Sequence, residues 1–141
     1  MDLTVTVKVR DVMDNKVFTV DTTSTVSQAI EKMIKAGVWS LVVEERGMPV
    51  GVVTDRDILR RCASLGHYPD KMRIQEIISS PILTIDPDAT IGEAMKMLID
   101  KGVRRVYVVE GGRIVGRVTQ TGLFRNMLDL MATLASLPYQ L

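Results

Sequence analysis

The chain has 141 residues, 46% of them apolar and 25% charged, with 18 Lys and Arg against 17 Asp and Glu. These totals suit one soluble domain or two small units sharing a core, and with aromatics at 4% that core must be aliphatic. One cysteine (Cys62) and one histidine (His67) exclude an internal disulfide and a Cys- or His-rich metal cluster, and the near-zero net charge and lack of a polybasic block give no support to non-specific nucleic-acid binding.

In chain order, residues 1–8 form an arm in which Leu3, Val5 and Val7 alternate with polar residues, the pattern of an edge strand. Val17 to Val20 is a short β-rich run. Thr25-x-x-Gln28 is a capping box, and Val26, Ala29, Ile30, Met33 and Ile34 recur at helical spacing up to Gly37, which sits where a left-handed cap belongs. Leu41 to Val43 and Val50 to Thr54 read as a hairpin turned at Arg46-Gly47, followed by a helix around Arg56 to Leu65. A surface connector occupies 66–73, with Gly66, Pro69 and Asp70. The same series then recurs: a strand at Ile82 to Ile85, a capping box at Thr90-x-x-Glu93, a helix up to Gly102, and strands at Val106 to Val109 and Ile114 to Thr119 around Gly111-Gly112. A last helix follows around Thr121 to Leu134.

This is an internal duplication. A shift of 65 positions lays Gly37 on Gly102, Gly51 on Gly116, Thr54 on Thr119 and Ala29 on Ala94, without a gap from Val9/Ile74 through Arg60/Arg125. The repeats are bounded at 9–65 and 74–134. The predicted class is α/β: two tandem β-α-β-β-α units, each with an apolar sheet face that its copy can cover about a pseudo-twofold axis. No stretch has the make-up of a signal peptide or approaches the ~18 apolar residues of a membrane span, so a cytoplasmic location is expected. The last helix carries more apolar residues (Met127, Leu128, Leu130, Met131, Leu134, Leu137) than one exposed face needs, so it packs either on a second subunit or on its own domain.

The chemistry concentrates at Gly51-Val-Val-Thr54-Asp55-Arg56-Asp57, where a strand passes into a helix. Helix starts offer backbone amides to an anion, Thr54 adds a hydroxyl, and the Asp57 carboxylate can accept the two neighbouring hydroxyls of a ribose. Equally, Thr-x-x-Asp is a capping box. The second copy has Gly122 in place of Asp57, so the carboxylate is dispensable for the fold there. Arg56, Arg60 and Arg61 form a basic turn, a surface feature or a partner contact. Neither a nucleophile–base pair nor a catalytic carboxylate pair is apparent, so no enzymatic activity and no catalytic cofactor are expected.

Val9-Arg10-Asp11-Val12-Met13, Gly37-Val38, Gly102-Val103-Arg104-Arg105 and Gly51 to Leu59, duplicated and in order, resemble a stand-alone CBS-domain pair, or Bateman module. The resemblance implies a regulatory module that binds AMP, ADP, ATP or S-adenosylmethionine in a cleft between the repeats. It implies that Thr54 and Asp57 contact ribose and phosphate, that Pro81, Ile82 and Leu83 border the base, and that Val52 and Val103 give apolar contact. Arg104 and Arg105 match positions near phosphates, and strand alternation lets one of the two reach the ligand. Gly122, Trp39 and Ser40 stand at the corresponding positions of the second cleft, which is expected to bind weakly or differently. A homodimer with an unidentified effector protein is the expected assembly. The rival functions are a ligand-independent scaffold and a nucleic-acid-binding regulator.

Overall fold

The structure, a computed structural model, describes residues 7–138. Most of the expected arm at 1–8 lies outside them. The described chain runs α1 (Val9–Val12), β1 (Thr19–Asp21), α2 (Val26–Ala36), β2 (Ser40–Glu45), β3 (Met48–Thr54), α3 (Asp55–Arg61), β4 (Thr84–Ile85), α4 (Ile91–Lys101), β5 (Arg105–Glu110), β6 (Arg113–Thr119) and α5 (Gln120–Ala135). Short 3₁₀ turns lie at Ala63–Leu65 and Ile74–Glu76. The β-α-β-β-α order is thus present twice, in an α/β fold.

Two compact units result. One is Lys16–Ile82; the other combines residues 7–15 with 83–138 among those described. Each has a three-stranded sheet, β1-β2-β3 or β4-β5-β6, with the first pair parallel and the second antiparallel. The parallel pairing follows from the crossover helix, whose ends the sequence specifies well. Thr25 and Thr90 accept from the amides of Gln28 and Glu93, whose side chains reach back to the cap amides. Gly37 and Gly102 close the helices at φ 68° and 62°, a conformation that costs a residue with a Cβ about 1 kcal/mol or more.

The first unit buries Val26, Ala29 and Met33 of α2 against Leu41, Val43 and Val53. The second buries Ala94 and Leu98 of α4 against Val106, Val108 and Val118. Both cores draw a strip from the other sequence repeat. Ile74 and Ile77 are fully buried in the first, and Val9, backed by Val12 and Met13, in the second. The units are therefore offset from the repeats.

Beyond Phe124 the last helix is exposed on every side, so its own unit does not cover it. Its repeat-one counterpart α3 stops at Arg61, where Cys62 leaves helical geometry (φ −120°, ψ −70°). No helix among the described residues is long and apolar enough to cross a membrane.

Candidate functional site

In the first unit, β3 delivers Gly51, Val52 and Thr54 to the start of α3. Ser79 is fastened to the open edge of this corner. The Val52 amide donates to Ser79 O at 2.9 Å and the Ser79 amide returns the bond to Val52 O at 2.9 Å. Only glycine permits this approach, since a Cβ on residue 51 would lie 2.6 Å from Ser79 O and from the Ile78 side chain. Pro81, after a cis peptide from Ser80, and Ile82 continue from this anchor.

Asp57 is 8% exposed and both of its carboxylate oxygens are engaged. Oδ2 accepts from the Thr54 amide (2.9 Å) and from Thr54 Oγ1 (3.1 Å); Oδ1 accepts from Ser79 Oγ (2.9 Å). Asp57 N in turn donates to Thr54 Oγ1 at 3.2 Å. The capping box is thus real. A carboxylate has roughly four acceptor positions, so about one remains for a ligand donor.

The amides expected to await an anion are already taken. Asp55 N donates to Trp39 O at 3.1 Å, Arg56 N to Asp55 Oδ1 at 2.9 Å, and Asp57 N to Thr54 Oγ1. A neighbouring backbone carbonyl satisfies the first amide and side chains of the first turn satisfy the next two, which corrects the expectation of free donors at this helix start.

Among the expected site residues, Val52, Thr54, Asp57, Pro81 and Ile82 belong to the first unit, and Leu83, Val103, Arg104 and Arg105 to the second. Leu83 packs on the second core and accepts from Tyr107 N at 2.9 Å. Val103 and Arg104 line an apolar groove between α4 and α5. Arg105 opens β5 opposite Thr119, on the sheet face shared by Tyr107 and Arg117. The two arginines therefore diverge, as alternation requires. Arg61 is exposed and donates from Nη1 to Ile77 O (3.4 Å) and Ile78 O (3.0 Å), which ties α3 to the segment that carries Ser79. Trp39 is exposed in the apolar groove between α2 and α3, while Ser40 is buried.

Sequence comparison missed Ser79 and the equivalent chemistry of the second unit. There Asp14 and Arg117, the positions matching Ser79 and Val52, exchange the same pair of backbone bonds at 3.0 and 2.9 Å. Gly116 permits that approach just as Gly51 does, its would-be Cβ falling 2.6 Å from Asp14 O. Arg117 Nε also donates to Asp14 Oδ1 at 2.9 Å, with its side chain only 10% exposed. The second corner thus holds an acid and a cation paired with each other, at positions that match Ser79 and Val52. The signal lay in the 65-residue shift itself, which pairs Asp14 with Ser79 and Arg117 with Val52.

Comparison with known proteins gives the same architecture. The model of the CBS domain matches residues 9–64 and again 74–129. An uncharacterized protein of Methanopyrus kandleri is 34% identical over 130 residues, 91% of this chain and 66% of that protein, so the chain spans just under two thirds of its length. An uncharacterized conserved protein from Pyrococcus horikoshii superposes over 100% of this chain and 99% of its own with a TM-score of 0.80, at 24% identity, a likeness of fold. A hexameric CBS-CP12 protein from bloom-forming cyanobacteria superposes over 86% of this chain and 68% of its own with a TM-score of 0.79, at 26% identity.

Proposed function

Since the chain belongs to the CBS-domain family, with two copies in tandem, we propose that it is a regulatory module binding an adenosine-containing nucleotide: AMP, ADP, ATP or S-adenosylmethionine. The observation that carries this is the corner of Thr54, Asp57 and Ser79. It is a nearly buried carboxylate with an acceptor position to spare, beside Ser79, which is bonded to the β3 edge. A ribose hydroxyl donates to Asp57, and Val52 and the backbone of Pro81 and Ile82 flank the base. Because the amides at the start of α3 are engaged, the phosphates depend on cations. In this proposal Arg104 or Arg105 is the phosphate cation, and Leu83 and Val103 give apolar contact. A guanidinium grips two phosphate oxygens in its planar fork.

The role is regulatory and not catalytic. Nucleotide binding ties the repeats together and biases a surface read by an effector chain, by differential affinity for two states. Such a sensor works in the cytoplasm and as a homodimer. The rival is a ligand-independent scaffold, which the three hydrogen bonds that Asp57 already accepts within its own unit favour.

Two measurements separate them. Mass spectrometry of small molecules released from the purified protein is expected to find an adenosine compound. Asp57→Asn, which keeps an oxygen for the Thr54 amide, is expected to weaken nucleotide-induced thermal stabilisation at least tenfold in ligand concentration. No released nucleotide and no stabilisation by any of the four would leave the scaffold.

A further inference from the structure

We infer that the Asp14–Arg117 pair is the specificity determinant of the second corner, where it excludes the adenosine part of a nucleotide. The inference rests on the proposed function and adds what bars the second copy from sharing it. The two corners are built alike. Gly116 lets the backbones of Asp14 and Arg117 meet as Gly51 lets those of Ser79 and Val52 meet, and Thr119 caps α5 as Thr54 caps α3. They differ at three aligned positions: Val52, Asp57 and Ser79 in the first, Arg117, Gly122 and Asp14 in the second.

The three differences form one exchange. In the first corner a hydroxyl faces the acid, Ser79 Oγ donating to Asp57 Oδ1 at 2.9 Å. In the second the acid sits on the incoming strip, at Asp14, and residue 122 has no side chain. An acid at both positions would bring two carboxylates to hydrogen-bond distance, where one must take up a proton or the corner must open. Asp14 is matched instead by Arg117, whose Nε lies 2.9 Å from its Oδ1.

The exchange changes what the corner accepts. Val52 offers methyl groups to a base, and Asp57 keeps an acceptor position for a ribose hydroxyl. Arg117 puts a guanidinium at the matching strand position. Its side chain is only 10% exposed, so it presents a base with little face to stack on. The Asp14 side chain keeps 35% of its surface in water. A base laid over the pair would strip that water from a charged group, and a neutral ring returns less than the hydration it removes. Gly122 supplies no acceptor for the ribose. The corner thus selects against adenosine by a charged pair as well as by a missing carboxylate. Restoring the carboxylate alone does not make a nucleotide site.

Calorimetry of the full chain with AMP, and with adenosine, which needs no phosphate cation, tests this. The wild type is expected to show one site per chain and Asp57→Asn none. In the Asp57→Asn background, Gly122→Asp is expected to restore nothing, whereas Asp14→Ser/Arg117→Val/Gly122→Asp restores one site. Should that triple change disturb the circular dichroism, the reverse exchange decides. Val52→Arg/Ser79→Asp, with Asp57 kept, is expected to weaken the wild-type site about tenfold or more. Restoration by Gly122→Asp alone, none by the folded triple change, or a reverse exchange that leaves binding unchanged overturns the pair as determinant and leaves the proposed function standing. Two sites in the wild type do the same. A wild type that binds neither compound, or whose site survives Asp57→Asn, overturns the proposed function and the inference with it.

Discussion

Gly51 and Gly37 look alike in the sequence and act by different physics. A side chain at Gly37 meets open space and suffers only from φ 68°, so Gly37→Ala should cost about 1 kcal/mol. A side chain at Gly51 meets Ser79 O at 2.6 Å, and Gly51→Ala should cost about 2–3 kcal/mol as the strand is pushed away. Urea unfolding of both variants checks this, and equal losses would refute the close approach. Asp14→Ala leaves Arg117 almost buried beside a vacated carboxylate and should cost about 2 kcal/mol, partly restored by adding Arg117→Leu. Cys62 gives a pH signature. Burial raises its thiol above the usual value, so its stabilising contribution is complete below the unfolded pKa and is lost as pH rises through the folded one. Unfolding at pH 8 and pH 10 should show a smaller pH dependence in Cys62→Ala than in the wild type. The Thr54–Asp57 capping box was legible in the sequence. Ser79 and Arg117 were not, because their roles depend on a backbone pairing between segments far apart in the chain.

Helices α2 and α4 were the most legible elements, because cap, period and terminal glycine agree in each. Thr25→Ala and Thr90→Ala should each cost about 1 kcal/mol in thermal unfolding, since each hydroxyl satisfies an amide that has no partner within the helix. The hairpins were nearly as clear. The runs containing β1 and β4 were placed, but their pairing ranges were not, because three- and two-residue strands have too few side chains to show a period. The end of α3 was also misplaced. Its apolar and charged residues continue to Leu65, while the break at Cys62 is imposed by burial of that side chain and the bond from His67 N to Cys62 O. For α5 the sequence left two options, and the exposure of residues 124–138 removes packing on its own unit.

At the scale of the whole molecule, the duplication was legible and the folding units were not. A shift of 65 residues finds what is repeated, whereas compactness depends on which repeat each opening strip packs against. Ile74 and Ile77 are fully buried in the unit that begins at Lys16. A fragment of residues 16–82 should therefore show cooperative thermal unfolding, and a fragment of 9–65, cut at the sequence repeat, should not; the reverse result would refute the offset. The proposed sensor rests on inequality between the copies, with Asp57 against Gly122 and Val52 against Arg117. Calorimetric titration of the full chain with AMP, ADP, ATP and S-adenosylmethionine tests it most directly. The account predicts that at least one binds more tightly than millimolar with one principal site per chain, and that Asp57→Asn abolishes that site. No heat from any of the four, or binding that Asp57→Asn leaves unchanged, would contradict it.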